Sequence, residues 1–117
     1  MPDFGQEIFV QAQAHGPLTD QAYREARAEA LRLAGPDGLS AALDANHLDA
    51  VVGPTAGPAS LSDPVLGDHF VGGGAGSIAA VAGTPSVTVP AGAVRGLPVV
   101  IVFMGRAYAE PELLALA

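Results

Sequence analysis

From Val99 to Phe103 every side chain is apolar. A β-strand turns successive side chains to opposite faces, so a strand of this composition needs cover on both of them. That requirement constrains the fold more than any other segment. Ser86 to Val89 reads as a partner strand. The Gly92 to Pro98 connection allows an antiparallel hairpin and is too short for a parallel crossover. Glu110 to Ala117 then reads as a final helix, with acidic residues in its first turn, where the helix macrodipole favours them. It reaches the last residue without a C-cap, which hints at truncation.

The chain ahead of this run reads as helices and one more strand. Phe4 to Ala14 places Phe4, Ile8 and Ala12 at helical spacing, with Phe9 beside them and Asp3 as a candidate N-cap. Gly16-Pro17 ends it. A second helix is expected from Thr19, with Leu18 and Tyr23 as a hydrophobic staple around that cap. Tyr23, Ala26, Ala30, Leu31 and Ala34 form its apolar face, and Arg24, Glu25, Glu29 and Arg32 point to water. Gly35-Pro36 reads as a C-cap followed by a breaker, and a short third helix follows over Leu39 to Ala45. Leu48 to Val52 reads as a buried strand stopped by Gly53-Pro54. Thr55 to Gly76 is rich in Gly and Pro and loop-like, and long loops are often functional. Ser77 to Ala82 reads as a short apolar helix. No repeat or linker divides the 117 residues, which read as a single segment.

Composition excludes several classes of function. Hydrophobic residues make up 50% of the chain, so a core is required. The net charge is −7, and the five basic residues are all arginines that do not cluster. No basic stripe exists to neutralise nucleic-acid phosphates or to bind an anionic membrane surface. Gly and Pro interrupt every apolar run before it reaches a membrane span. The N-terminus has neither the charged nor the apolar region of a secretory signal, so a cytoplasmic location is expected. The absence of cysteine rules out disulfides and thiolate metal sites.

A set of short words, in order along the whole chain, resembles the amidase signature family, in particular its peptide-amidase-like branch. Phe4-Gly5-Gln6-Glu7 resembles a helix start in those enzymes. Leu48-Asp49-Ala50-Val51-Val52-Gly53-Pro54-Thr55 resembles a strand and turn of the family. Gly67-Asp68-His69-Phe70 with Gly72-Gly73 resembles a loop of that branch. Ala82-Gly83-Thr84-Pro85-Ser86, Gly96-Leu97-Pro98 and Gly105-Arg106-Ala107 are similar to words near the family's C-terminus. Family members are much longer, so the resemblance covers their C-terminal portion only. It implies an α/β chain: the C-terminal part of a mixed-sheet α/β/α fold, with N-terminal helices, three core strands and a terminal helix.

The resemblance also implies what is missing. The family hydrolyses carboxamides with a Ser–Ser–Lys triad, the lysine and bridging serine relaying a proton from the nucleophile, and a Gly/Ser-rich loop forms the oxyanion hole. All of these lie N-terminal to the matching region, and this chain has no lysine. No catalytic residue is therefore expected here, and no cofactor or metal.

Four residues are candidates for lining the wall of an amide-binding cleft. Thr55 follows Gly53-Pro54 at the end of a strand, a favoured ligand position in open α/β sheets. Asp68 and His69 offer a polar wall, or serve only in loop hydrogen bonding. Adjacent residues on an extended loop point apart, and with Asp63 they lack a third ligand at helical spacing, so neither a metal site nor an acid–base pair is expected. Gly73 lies in Gly72-Gly73-Gly74-Ala75-Gly76-Ser77, which either presents N–H groups to a cleft or is a tight turn needing small residues. It lacks paired serines and a dinucleotide pattern. His15 and His47 suit helix ends, and Arg106 suits a carboxylate partner.

The expected function is thus that of a C-terminal fragment of an amidase, inactive alone. The expected partners are the N-terminal catalytic part or a second copy, with a small amide or peptide amide as substrate of the complete enzyme. The alternatives are a separately encoded assembly or binding module that docks on a catalytic amidase, and a decayed remnant.

Overall fold

The computed structural model describes residues 5–70 and 72–117. Along the chain run α1 (Glu7–Ala14), α2 (Gln21–Ala34), a π-helical segment (Gly35–Ser40), α3 (Ala41–Ala45), β1 (Val51–Pro54), α4 (Gly76–Ala82), β2 (Ser86–Val94), β3 (Leu97–Met104) and α5 (Glu110–Leu116). The chain is mixed α/β, as expected, and its three strands form one antiparallel sheet in the order β1-β3-β2.

The strand expected to need the most cover is the central one. β2 and β3 form a hairpin closed by Arg95 and Gly96, with φ of 53° and 79°. Two successive positive φ values make the two-residue turn whose twist matches that of the strands. Pro90 faces Val100 and Gly92 faces Val99, so Ala91 is the extra residue of a bulge. Both strands run further than the sequence suggests, because this tight turn carries the pairing through Val94 and Leu97.

Residues paired across the sheet share a face. Val51, Met104 and Ser86 form one row and Gly53, Val102 and Thr88 the next. Val102 and Met104 are buried with Leu39, Leu43 and Ala79, and Val51 and Ala75 pack against them. The π-helical segment, α3 and α4 therefore cover this face. The opposite face carries Val52, Phe103 and Val87, then Pro54, Ile101 and Val89. Ile101 and Phe103 are only half-buried, and Val52 is 49% exposed. α5 packs on β2 and β3, and its Leu113 is fully buried outside the main cluster.

Several boundaries differ from the sequence reading. Gly35 caps α2, as the sequence suggests, at φ −93° and ψ −94°, but Pro36 does not end the helical path. The backbone widens into π turns that carry it into α3, with Gly35 and Leu39 buried. A proline in a first turn gives up an N–H that needs no partner there. Arg32 spans the junction, pairing with Glu29 and with Asp37. Its guanidinium holds the Glu29 carboxyl below the usual range.

α2 starts at Gln21 with Asp20 as N-cap, because the N–H of Asp20 bonds the Pro17 carbonyl and closes a turn first. Leu18 and Tyr23 then no longer flank the cap as a staple, and both are exposed. α1 begins at Glu7, and the proposed cap Asp3 and Phe4 lie outside the described residues. Its Ile8 and Phe9 are 74% and 72% exposed, so its apolar face is largely uncovered by the described residues.

β1 lies at Val51–Pro54, not Leu48 to Val52. Leu48 is spent on the end of α3. Its N–H bonds the Leu43 carbonyl and that of His47 bonds Asp44, with His47 at φ 53°. This is a left-handed helix end, here with His where Gly is usual. Pro54 is tolerated within β1 because its missing N–H faces away from β3, toward the edge.

A compact monomer of this mass exposes about 5,900 Å² and has a radius of gyration of about 13 Å. This chain exposes 8743 Å² and has a radius of gyration of 17.8 Å. Among the described residues the buried hydrophobics are only Leu39, Leu43, Ala79, Val102, Met104 and Leu113. No described helix is long and apolar enough to cross a membrane. A chain with so much uncovered apolar surface is expected to self-associate, or to unfold gradually at low denaturant. Sedimentation velocity and urea unfolding check this. A clean monomer with one sharp transition is the contrary result.

Candidate functional site

Thr55 and the glycine loop are brought together by backbone contacts. The Thr55 N–H continues the β1–β3 ladder to the Val100 carbonyl, 3.0 Å away. The Ala75 N–H then bonds the Pro54 carbonyl at 2.7 Å, and the Gly76 N–H bonds that of Thr55 at 3.3 Å. The glycine loop thus folds back onto the end of β1. A Cβ on Gly74 would lie 2.6 Å from the Thr55 oxygen, and one on Gly57 would lie 2.4 Å from the Gly72 oxygen. Gly74 also has φ 148°, which side chains rarely adopt. The small residues are therefore required by close backbone crossing. Gly73, at φ 80°, has open space where a Cβ would stand. The Thr55 hydroxyl is buried with no hydrogen-bond partner among the described residues, as is that of Thr84.

Asp68 and His69 lie in a separate, exposed loop. One carboxylate oxygen of Asp68 accepts the Asp63 N–H at 3.1 Å, and the Asp68 carbonyl accepts that of Phe70. The Asp63 carboxylate in turn accepts the N–H groups of Val65 and Leu66, both at 2.9 Å. These bonds, that from Leu66 foremost, hold the Asp63 carboxyl below its usual range. The two aspartates fold the loop on itself, and no cluster of three metal-ligating side chains forms among the described residues.

Three concavities lie elsewhere. One of about 950 Å³ follows α2 from Leu18 to Leu31. Another of about 280 Å³ lies among Asp49, Arg106, Tyr108 and Glu112. A third, of about 320 Å³, is apolar and lined by Leu33, Leu39, Val51, Ile78 and Met104. Thr55, Asp68, His69 and Gly73 line none of these three.

Arg106 is paired, as its position after β3 suggests. It donates to the Leu48 carbonyl and to the Asp44 carboxylate, each at 2.8 Å, tying the end of α3 to the end of β3. The sequence reading did not single out Tyr108, which has φ 64° and is 91% exposed. No composition or periodicity signal marks a non-glycine residue in that conformation.

Two outcomes follow from this geometry. Gly74→Ala is expected to destabilise the chain by about 1–3 kcal/mol through backbone strain, read as a lower urea midpoint. Gly73→Ala also meets a positive φ, but no neighbouring atom, and is expected to cost less. For Asp63, a depressed folded pKa means that its contribution to loop order is complete above the unfolded value of about 3.9 and is lost as pH falls through the folded value. The Val65 and Leu66 amide signals should report this as a titration midpoint below that of an ordinary aspartate. Asp63→Ala should abolish it.

No protein-family model matches the chain, and no curated protein matches it. Solved structures do. The structure described as PAM12A superposes with a TM-score of 0.92 at 52% identity, over 100% of this chain and 24% of that one. A peptide amidase in complex with the competitive inhibitor chymostatin gives 0.91 at 51% identity, again over 100% and 24%. The native peptide amidase of Stenotrophomonas maltophilia gives 0.84 at 51%, over 97% and 22%. The chain therefore spans about a quarter of the length of the proteins it matches. Over its whole length the chain is thus similar in sequence and in backbone to about a quarter of the peptide amidases, consistent with the C-terminal portion of the amidase signature family that its words resemble.

Proposed function

We infer that this chain is the C-terminal part of an amidase domain that hydrolyses carboxamide C–N bonds, and that it supplies structure and cleft wall but no catalytic group. The observation that carries this reading is the full-length match to about a quarter of a peptide amidase. The chemistry of the chain agrees. With no lysine there is no base of the family's type, and Gly72-Gly73-Gly74 holds no paired serines. Removing a triad leaves a serine hydrolase with only about 10³–10⁴-fold catalysis over water. The natural complement is the N-terminal catalytic part of such an enzyme, and its substrate class would be a small amide or peptide amide.

Within that reading the four cleft candidates differ in what they can offer. Among the described residues no hydrogen bond engages the His69 side chain or the Gly73 backbone, so both could face a substrate. The Asp68 carboxylate is already engaged by the Asp63 N–H. The Thr55 hydroxyl is buried, so Thr55 would shape the cleft wall by its backbone.

The test is peptide-amide hydrolysis, read as ammonia release. The chain alone should show no turnover and no labelling of any serine by a fluorophosphonate. A chimera in which this chain replaces the C-terminal portion of the Stenotrophomonas maltophilia peptide amidase should hydrolyse the amide. Stoichiometric labelling of the chain alone, or a folded but inactive chimera, would overturn the reading.

A further inference from the structure

The chain from Gly57 to Gly72 leaves and returns at one point. A Cβ on Gly57 would lie 2.4 Å from the Gly72 oxygen, so the two ends touch. A loop with touching ends, and with no helix or strand among its described residues, is an Ω-loop, a class that frequently carries function. Its tip is held by its own polar groups. The Asp63 carbonyl accepts the Gly67 N–H at 3.0 Å, and the Asp68 carbonyl accepts that of Phe70 at 2.9 Å. The two carboxylates engage the N–H groups of Asp63, Val65 and Leu66.

Such loops are normally packed by their own side chains. Here those side chains stand in solvent. Leu61 and Val65 are each 86% exposed, Leu66 is 78% and Phe70 77%. An internally bonded backbone that turns its large apolar side chains outward is a contact surface. The acidic residues of the loop are Asp63 and Asp68, and no lysine or arginine occurs between Arg32 and Arg95. The loop leads directly into the crossing of Gly74 on Thr55. The apolar surface is therefore continuous along the chain with Asp68, His69 and Gly73.

We propose that this loop is the side-chain subsite of the amide cleft, in which Leu66 and Phe70 receive an apolar side chain of a peptide amide. The inference rests on the amidase reading and narrows its substrate class to peptide amides with an apolar residue at the amide end. Charge favours that occupant over permanent cover by the rest of an amidase fold. Sealing Asp63 and Asp68 under protein is costly unless cations pair with both, whereas a cleft open to water leaves them hydrated. A substrate amide is neutral at its reacting end. The product acid carries a carboxylate there, which the two aspartates repel. The loop thus holds substrate and sheds product.

The test uses the chimera, assayed on two peptide amides that differ only in the last residue, leucine or glycine. Leu66→Ser and Phe70→Ala should each lower the leucine-over-glycine ratio of kcat/KM by about tenfold, mostly through KM, as expected for one lost apolar contact. Phe70→Leu, which keeps an apolar surface, should restore most of that ratio. Asp68→Asn should strengthen inhibition by the product acid. An active chimera whose variants leave the ratio unmoved, or lose both amides equally, overturns this inference alone and would make the rest of the fold the loop's occupant. Unchanged product inhibition in Asp68→Asn also overturns it. A folded but inactive chimera overturns the amidase reading, and this inference with it.

Discussion

The structure depends on β3 lying at the centre of its sheet with apolar side chains on both faces. Val102 and Met104 anchor the π-helical segment, α3 and α4 on one side, through Leu39, Leu43 and Ala79. β1 and β2 exist as strands because each borrows its ladder from β3. The other side is where the chain runs short. α5 reaches β2 and β3, but Ile101, Phe103 and Val52 keep substantial exposure.

The energetic consequence is large compared with ordinary stability. Apolar burial contributes about 25 cal/mol per Å² as an upper estimate, so covering 1,000 Å² gives about 25 kcal/mol. A typical domain has a net stability of only about 5–15 kcal/mol. This chain exposes 8743 Å², against about 5,900 Å² for a compact protein of its mass. The chain matches only about a quarter of a peptide amidase.

The glycine loop shows how close packing and chemistry can share a sequence signature. Gly72 to Gly76 has the composition of an anion-cradling loop, yet at Gly74 and Gly57 a Cβ would overlap a carbonyl oxygen of the neighbouring backbone. The same crossing closes the edge of β1. Asp68 and Asp63, which in sequence resemble a polar site, satisfy N–H groups of their own loop. Polar residues in a long loop must meet the loop's backbone demands before they can serve a ligand.

The sequence by itself determined the elements whose signals are local. The apolar run of β3, the short connection that forces an antiparallel hairpin, the acidic start of α5 and the family words all follow from residues close together in the chain. The pairing of Arg106 with a carboxylate was legible from its place after a buried strand. The tertiary structure alone decided the rest. That π turns follow the Gly35 cap was not legible, because Leu39 is buried in a core built from distant strands. Where β1 starts depended on Leu48 being taken by the end of α3. What covers the outer side of Pro54 depended on Ala75 reaching its carbonyl, a contact across the 20 residues from Thr55 to Gly74. Local propensity sets what a segment prefers, but hydrogen-bond partners distant in sequence set which groups are paired.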